Sequence, residues 1–61
     1  MNNTRRYQLQ MIDLGGHNRV TMESNFLTKA HLLAVYLQKT GGFSGKLIDV
    51  LQYGKVIFTY Q

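Results

Sequence analysis

A chain of 61 residues with no cysteine has no covalent staple, so it must hold together by side-chain packing, within itself or against a second copy. Chains this short bury only about 60% of the surface they expose when unfolded. That limits the answer to one domain over residues 1–61, with every apolar position counting. The composition is 44% hydrophobic and 16% charged, too apolar for a disordered chain.

The apolar residues are spaced rather than blocked. From Tyr7 to Leu14, the residues Tyr7, Leu9 and Met11 alternate with Gln8 and Gln10, the period of a half-buried strand. Gly15-Gly16-His17-Asn18 reads as a hairpin loop, because these residues tolerate positive φ. A second strand from Arg19 to about Phe26 then sets Val20, Met22 and Phe26 against Arg19, Thr21, Glu23 and Asn25. With that loop as the connection, Met11 falls opposite Met22 and Tyr7 opposite Phe26.

A helix follows, with Thr28 as the expected N-cap and Leu27 and Leu32 as a hydrophobic staple. It ends near Thr40, since Gly41 and Gly42 suit a left-handed C-terminal cap and Lys39 suits the last turn. Ala30, Leu33, Ala34 and Leu37 form its apolar stripe, Leu32 and Tyr36 widen it, and His31, Val35, Gln38 and Lys39 fall outside. Strands from Lys46 to about Tyr53 and from Val56 to Tyr60 flank a turn at Tyr53-Gly54-Lys55. The expected fold is α+β, ββαββ: a four-stranded, mostly antiparallel sheet with one helix packed on one face. This element order resembles that of the small immunoglobulin-binding domains of streptococcal surface proteins. The resemblance implies a topology and carries no binding residue over.

The second hairpin does not sort into a wet and a dry side. Leu47, Leu51, Tyr53, Val56, Phe58 and Tyr60 fall on one face, and Ile48, Val50 and Ile57 on the other. One helix covers one face, so the reading is that Leu51, Tyr53, Phe58 and Tyr60 form an interface, most simply within a homodimer or larger homo-oligomer. Tyr53, Phe58 and Tyr60 can also be read as a stacking platform for bases, although no RNA-recognition motif accompanies them.

A formal charge of +4 favours an anionic partner. Thr40 to Lys46 superficially suggests a phosphate-binding P-loop, but Leu47 stands where a Ser or Thr is needed and the order is helix-loop-strand. A weaker anion site survives. The ββαββ layout puts the first hairpin loop and the helix C-terminus at one end, gathering His17, Asn18, Arg19, Lys39, Ser44 and Lys46. Residues 1–6, with Arg5 and Arg6, read as a flexible basic arm. His17 and His31 lack the helical spacing of metal ligands, and Asp13, Glu23 and Asp49 offer no general acid/base pair. Asp49 interrupts the aromatic face, either to pair with a cation across an interface or to end the buried zone.

The expectation is a non-catalytic binding protein with no cofactor and no metal. It engages a phosphate-bearing target, nucleic acid or a phosphorylated small molecule such as a nucleotide, in the manner of a viral, phage or plasmid accessory or sequestering factor. The alternative is an inhibitor or adaptor that docks on a host or partner protein through the second hairpin. No signal peptide is evident, and the longest apolar run, Leu32 to Leu37, is far short of the roughly 20 residues of a membrane span, so a cytoplasmic location is expected.

Overall fold

Leu9 and Leu47 lie directly opposite one another on neighbouring strands, and both are completely buried. The rest of the molecule is arranged around that pair. A computed structural model describes residues 5–61. It contains β1 (Tyr7–Ile12), β2 (Arg19–Ser24), α1 (Leu27–Gly41), β3 (Ser44–Asp49) and β4 (Lys55–Tyr60), with a 3-10 turn at Val50–Gln52. The strands form one open sheet in the order β2-β1-β3-β4, and every pairing is antiparallel. The strands carrying the buried leucines are central, and the largely exposed β2 and β4 are edges. The expected α+β, ββαββ architecture is the one observed. The helix is too short and polar to cross a membrane.

The first hairpin pairs differently from expectation. Its loop is Asp13–Asn18, because Asp13 organises it. The Asp13 carboxylate accepts from the His17 amide (2.8 Å) and the Asn18 side chain (2.7 Å), and its own N–H donates to the Asn18 carbonyl (3.0 Å). Met11 therefore faces Val20, Leu9 faces Met22, and Tyr7 faces Ser24 rather than Phe26. The shift is by an even number of residues, so no side chain changes face.

Thr28 is not the helix cap. Phe26 takes that place in extended conformation, with no side-chain cap, because Ser24 Oγ accepts from the Phe26 amide (3.0 Å) and turns the chain two residues earlier. Ala30 and Ala34 are fully buried, and their small size at i, i+4 lets α1 lie close on the sheet. Leu27, Leu33 and Leu37 pack beside them. At the other end, Gly42 adopts φ 66° as expected for a left-handed cap. The edges of the stripe are exchanged relative to expectation: Leu32 and Tyr36 are exposed, whereas His31, Val35 and Gln38 are half-buried. The sheet extends two strands beyond β1 on the β4 side and only one on the other. α1 packs across all four strands, and at the β4 edge His31 Nδ1 lies 2.8 Å from the Tyr60 hydroxyl and its ring 4.7 Å from that of Phe58.

The second hairpin supplies the largest correction. β3 stops at Asp49, short of Tyr53, because the Asp49 carboxylate accepts from the Leu51 amide (3.1 Å) and its carbonyl accepts from Gly54 (3.1 Å), closing the 3-10 turn. Leu47 faces Phe58 but Ile48 faces Val56, leaving Ile57 as the extra residue of a β-bulge. The bulge reverses the alternation, moving Val56 to the open side. Thus the expected continuous apolar face does not form.

Asp49 is buried and paired within the chain, to Arg6 Nε at 3.2 Å. Arg6 also donates its amide to Asn25 Oδ1 (3.0 Å) and places its guanidinium 5.2 Å from the Tyr7 ring centroid. It is therefore no part of a flexible arm. Residues 1–4 of that expected arm lie outside the described residues.

Candidate anion-binding face

Because α1 covers one face of the sheet, the alternating residues of all strands are left on the other. The register arranges them in three rows across the sheet: Arg19, Ile12 and Ser44; then Thr21, Gln10, Lys46 and Thr59; then Glu23, Gln8, Ile48 and Val56. Hydrogen-bonding groups thus dominate the first two rows, and the only acid on this face sits in the third.

The first two rows, with Val56 of the third, line a shallow groove of about 570 Å³ in which Ile12 and Val56 are the apolar side chains of the open face. Two strand spacings and a two-residue offset put the Arg19 and Lys46 Cα atoms about 12 Å apart. Long side chains from these positions can reach one phosphate or two linked ones. Gln10 donates from Nε2 to Gln8 Oε1 (2.8 Å), which restrains its amide at the floor of the groove. Thr21, Ser44 and Thr59 contribute hydroxyls of either polarity.

Of the six residues expected to gather at the basic end, Arg19, Ser44 and Lys46 line this groove together. His17, Asn18 and Lys39 do not line it. The loop has a built-in anion of its own, since Asp13 takes the His17 amide and the Asn18 side chain. Lys39 is exposed in the last turn of α1, on the layer behind the sheet. Sequence reasoning missed Gln10, Thr21 and Thr59. Their alternation with buried neighbours was visible, but which polar rows converge depends on the β1–β3 pairing, which connects strands distant in sequence.

The four expected interface residues are dispersed. Tyr60 is buried, with its hydroxyl at His31, and burial pushes that hydroxyl above its usual value. Phe58 sits beside it on the helix side, half-exposed against His31. Leu51 and Tyr53 project from the turn between β3 and β4, Tyr53 with φ 60° and its side chain fully exposed. None of these aromatics occupies the open face, so they form no stacking platform there.

The Asn18 side chain, together with the loop amides, holds the Asp13 carboxyl below its ordinary value. A carboxyl lowered on folding contributes stability that is present above about pH 4, the unfolded value, and lost as pH falls through the lower folded one. Thermal melts between pH 5 and pH 2 should therefore show the melting temperature of the native chain falling more steeply than that of Asp13→Ala, which starts lower at pH 5. Parallel curves would mean that the carboxylate does not organise the loop.

Comparison with protein-family models, curated proteins and solved structures finds no match to this chain.

Proposed function

We propose that the protein is a non-catalytic binding module that engages a phosphate-bearing ligand on the open face of its sheet. The observation that carries this reading is the convergence of Arg19 and Lys46, from strands on either side of β1, on one groove lined with amide and hydroxyl groups. Charge supplies attraction, and the fixed Gln10 amide and the hydroxyls supply orientation. The groove's volume falls within the range of about 300–1,000 Å³ usual for small-molecule sites. The aromatics lie on the helix side and in the turn, so bases have no ring to stack on. A nucleotide-sized molecule therefore fits the face better than an unstacked nucleic-acid strand.

Two titrations test the reading: a labelled nucleoside triphosphate and a short labelled oligonucleotide, each followed by fluorescence anisotropy. Lys46→Ala is expected to weaken nucleotide binding by about 10-fold or more, the worth of a charge-assisted hydrogen bond. Changing Arg19 and Lys46 together to Ala should bring it to background. Lys39→Ala, on the other layer, should have little effect. Binding that survives the double substitution would sink the proposal, and a preference for the oligonucleotide would make the ligand a strand.

A further inference from the structure

The sheet has two free edges, and they are not equivalent. On β4 the bulge at Ile57 breaks the even spacing that a neighbouring strand would need. On β2, all six residues Arg19–Ser24 pair in unbroken register with β1 and leave the outer side unpaired. It carries neither a bulge nor an edge lysine, and the chain has no proline. The bulge that hinders strand addition is thus present on β4 and absent from β2, whose only two charges, Arg19 and Glu23, are of opposite sign.

The sequence of β2 is complementary to itself when reversed. Antiparallel partners must share a face, so a two-fold axis can pass through Thr21 or through Met22. Through Thr21, Val20 lies opposite the partner's Met22 and Arg19 opposite the partner's Glu23, and each pair occurs twice. Through Met22, Glu23 meets a threonine and Arg19 meets an asparagine, with no charge paired. Arg19 and Glu23 are both exposed, and among the described residues the one ion pair is Arg6 with Asp49. They also stand four positions apart on one strand, about 13 Å, too far to pair with each other. Beside this edge runs a second groove of about 430 Å³, lined by Met22, Phe26 and Leu33 together with the charged Arg5, Glu23 and Lys29, with Phe26 exposed.

We infer that β2 is a self-association edge. Two copies join antiparallel about Thr21, with two Arg19–Glu23 pairs on the open face and two Val20–Met22 pairs on the helix side. The joint doubles the four-stranded sheet and puts both helices on one side of it. Arg19 belongs both to the groove and to the joint, whereas Lys46 lies on the second strand in from this edge and takes no part in the charge pairs, so substitution at Lys46 tests ligand binding apart from self-association.

Sedimentation equilibrium of the full chain, with native mass spectrometry as a second readout, tests the inference through charge reversal. The native chain is expected at twice its 7.0 kDa mass. Arg19→Glu or Glu23→Arg alone sets like charges opposite each other twice and should weaken the dimer by about tenfold or more. An equimolar mixture of these two single variants should recover a heterodimer, because each then faces its opposite charge. Both positions are exposed in the monomer, and circular dichroism checks that each variant remains folded. A native chain that stays at 7.0 kDa up to millimolar concentration overturns the inference. So does a dimer indifferent to single reversal, or a mixture that does not heterodimerise. Lys46→Ala should leave the mass unchanged, which keeps failure here distinct from failure of the ligand reading.

Discussion

Gly45→Ala is expected to leave the chain unfolded at room temperature. Gly45 lies in the centre of the sheet, opposite Met11 on β1. A Cβ added there would run into the Gln10 carbonyl oxygen and come within 2.8 Å of Met11 Cα. These are backbone atoms, so no rotamer change can relieve the clash. β1 and β3 must part, and their pairing is the only link between the two hairpins within the sheet. The cost should reach the upper end of the overpacking range, about 3 kcal/mol or more. A single core in a chain this small supplies only about 3–5 kcal/mol in total. Amide proton–nitrogen spectra of the variant should collapse to the narrow dispersion of an unfolded chain. Gly15→Ala is the control, since its added carbon meets only the far end of the His17 ring, and it should change stability by about 0.5 kcal/mol or less. A native-like spectrum for Gly45→Ala would show that the two central strands do not approach each other in this way.

Leu9→Ala and Leu47→Ala should each remove about 3 kcal/mol, through lost transfer free energy and the cavity left behind. The pair faces itself across β1 and β3 and is wholly buried under the alanines of α1. The rigid neighbours on both sides can collapse only partly into the space. Urea unfolding should show the midpoint of either variant moved close to zero denaturant. Leu47→Met, which conserves volume, should cost less than about 1.5 kcal/mol. By contrast, Leu32→Ala should change stability little, because Leu32 is exposed. If Leu32→Ala cost as much as Leu47→Ala, the helix would be facing the sheet with the other side of its stripe.

How much of this was legible in the sequence depends on the range over which each feature is decided. The alternation of Tyr7, Leu9 and Met11 and the Gly41-Gly42 stop are local signals, and both strand and helix appear where they point. The Thr28 cap was also a local inference, yet it failed because Ser24 turns the chain first. The hairpin register failed for a similar reason. Asp13 closes a longer loop than the glycines alone suggested, through side-chain bonds that no hydropathy pattern records. The site was legible in part: Arg19, Ser44 and Lys46 were named as candidates, while His17, Asn18 and Lys39 belong elsewhere. Gln10, Thr21 and Thr59 join the groove only because of how the strands are ordered.

The sequence by itself determined the number and kind of elements, since hydropathy period and glycine punctuation act over a few residues and are written into the chain. Tertiary structure decided the rest. The placing of β1 beside β3, the bulge that turns Val56 to the open side, the seating of His31 against Tyr60 and the burial of Asp49 on Arg6 each depend on contacts between residues far apart in the chain. Such contacts are selected by which whole arrangement buries Leu9 and Leu47 while pairing every buried side-chain polar atom of the described residues, a condition that no local stretch of sequence can state.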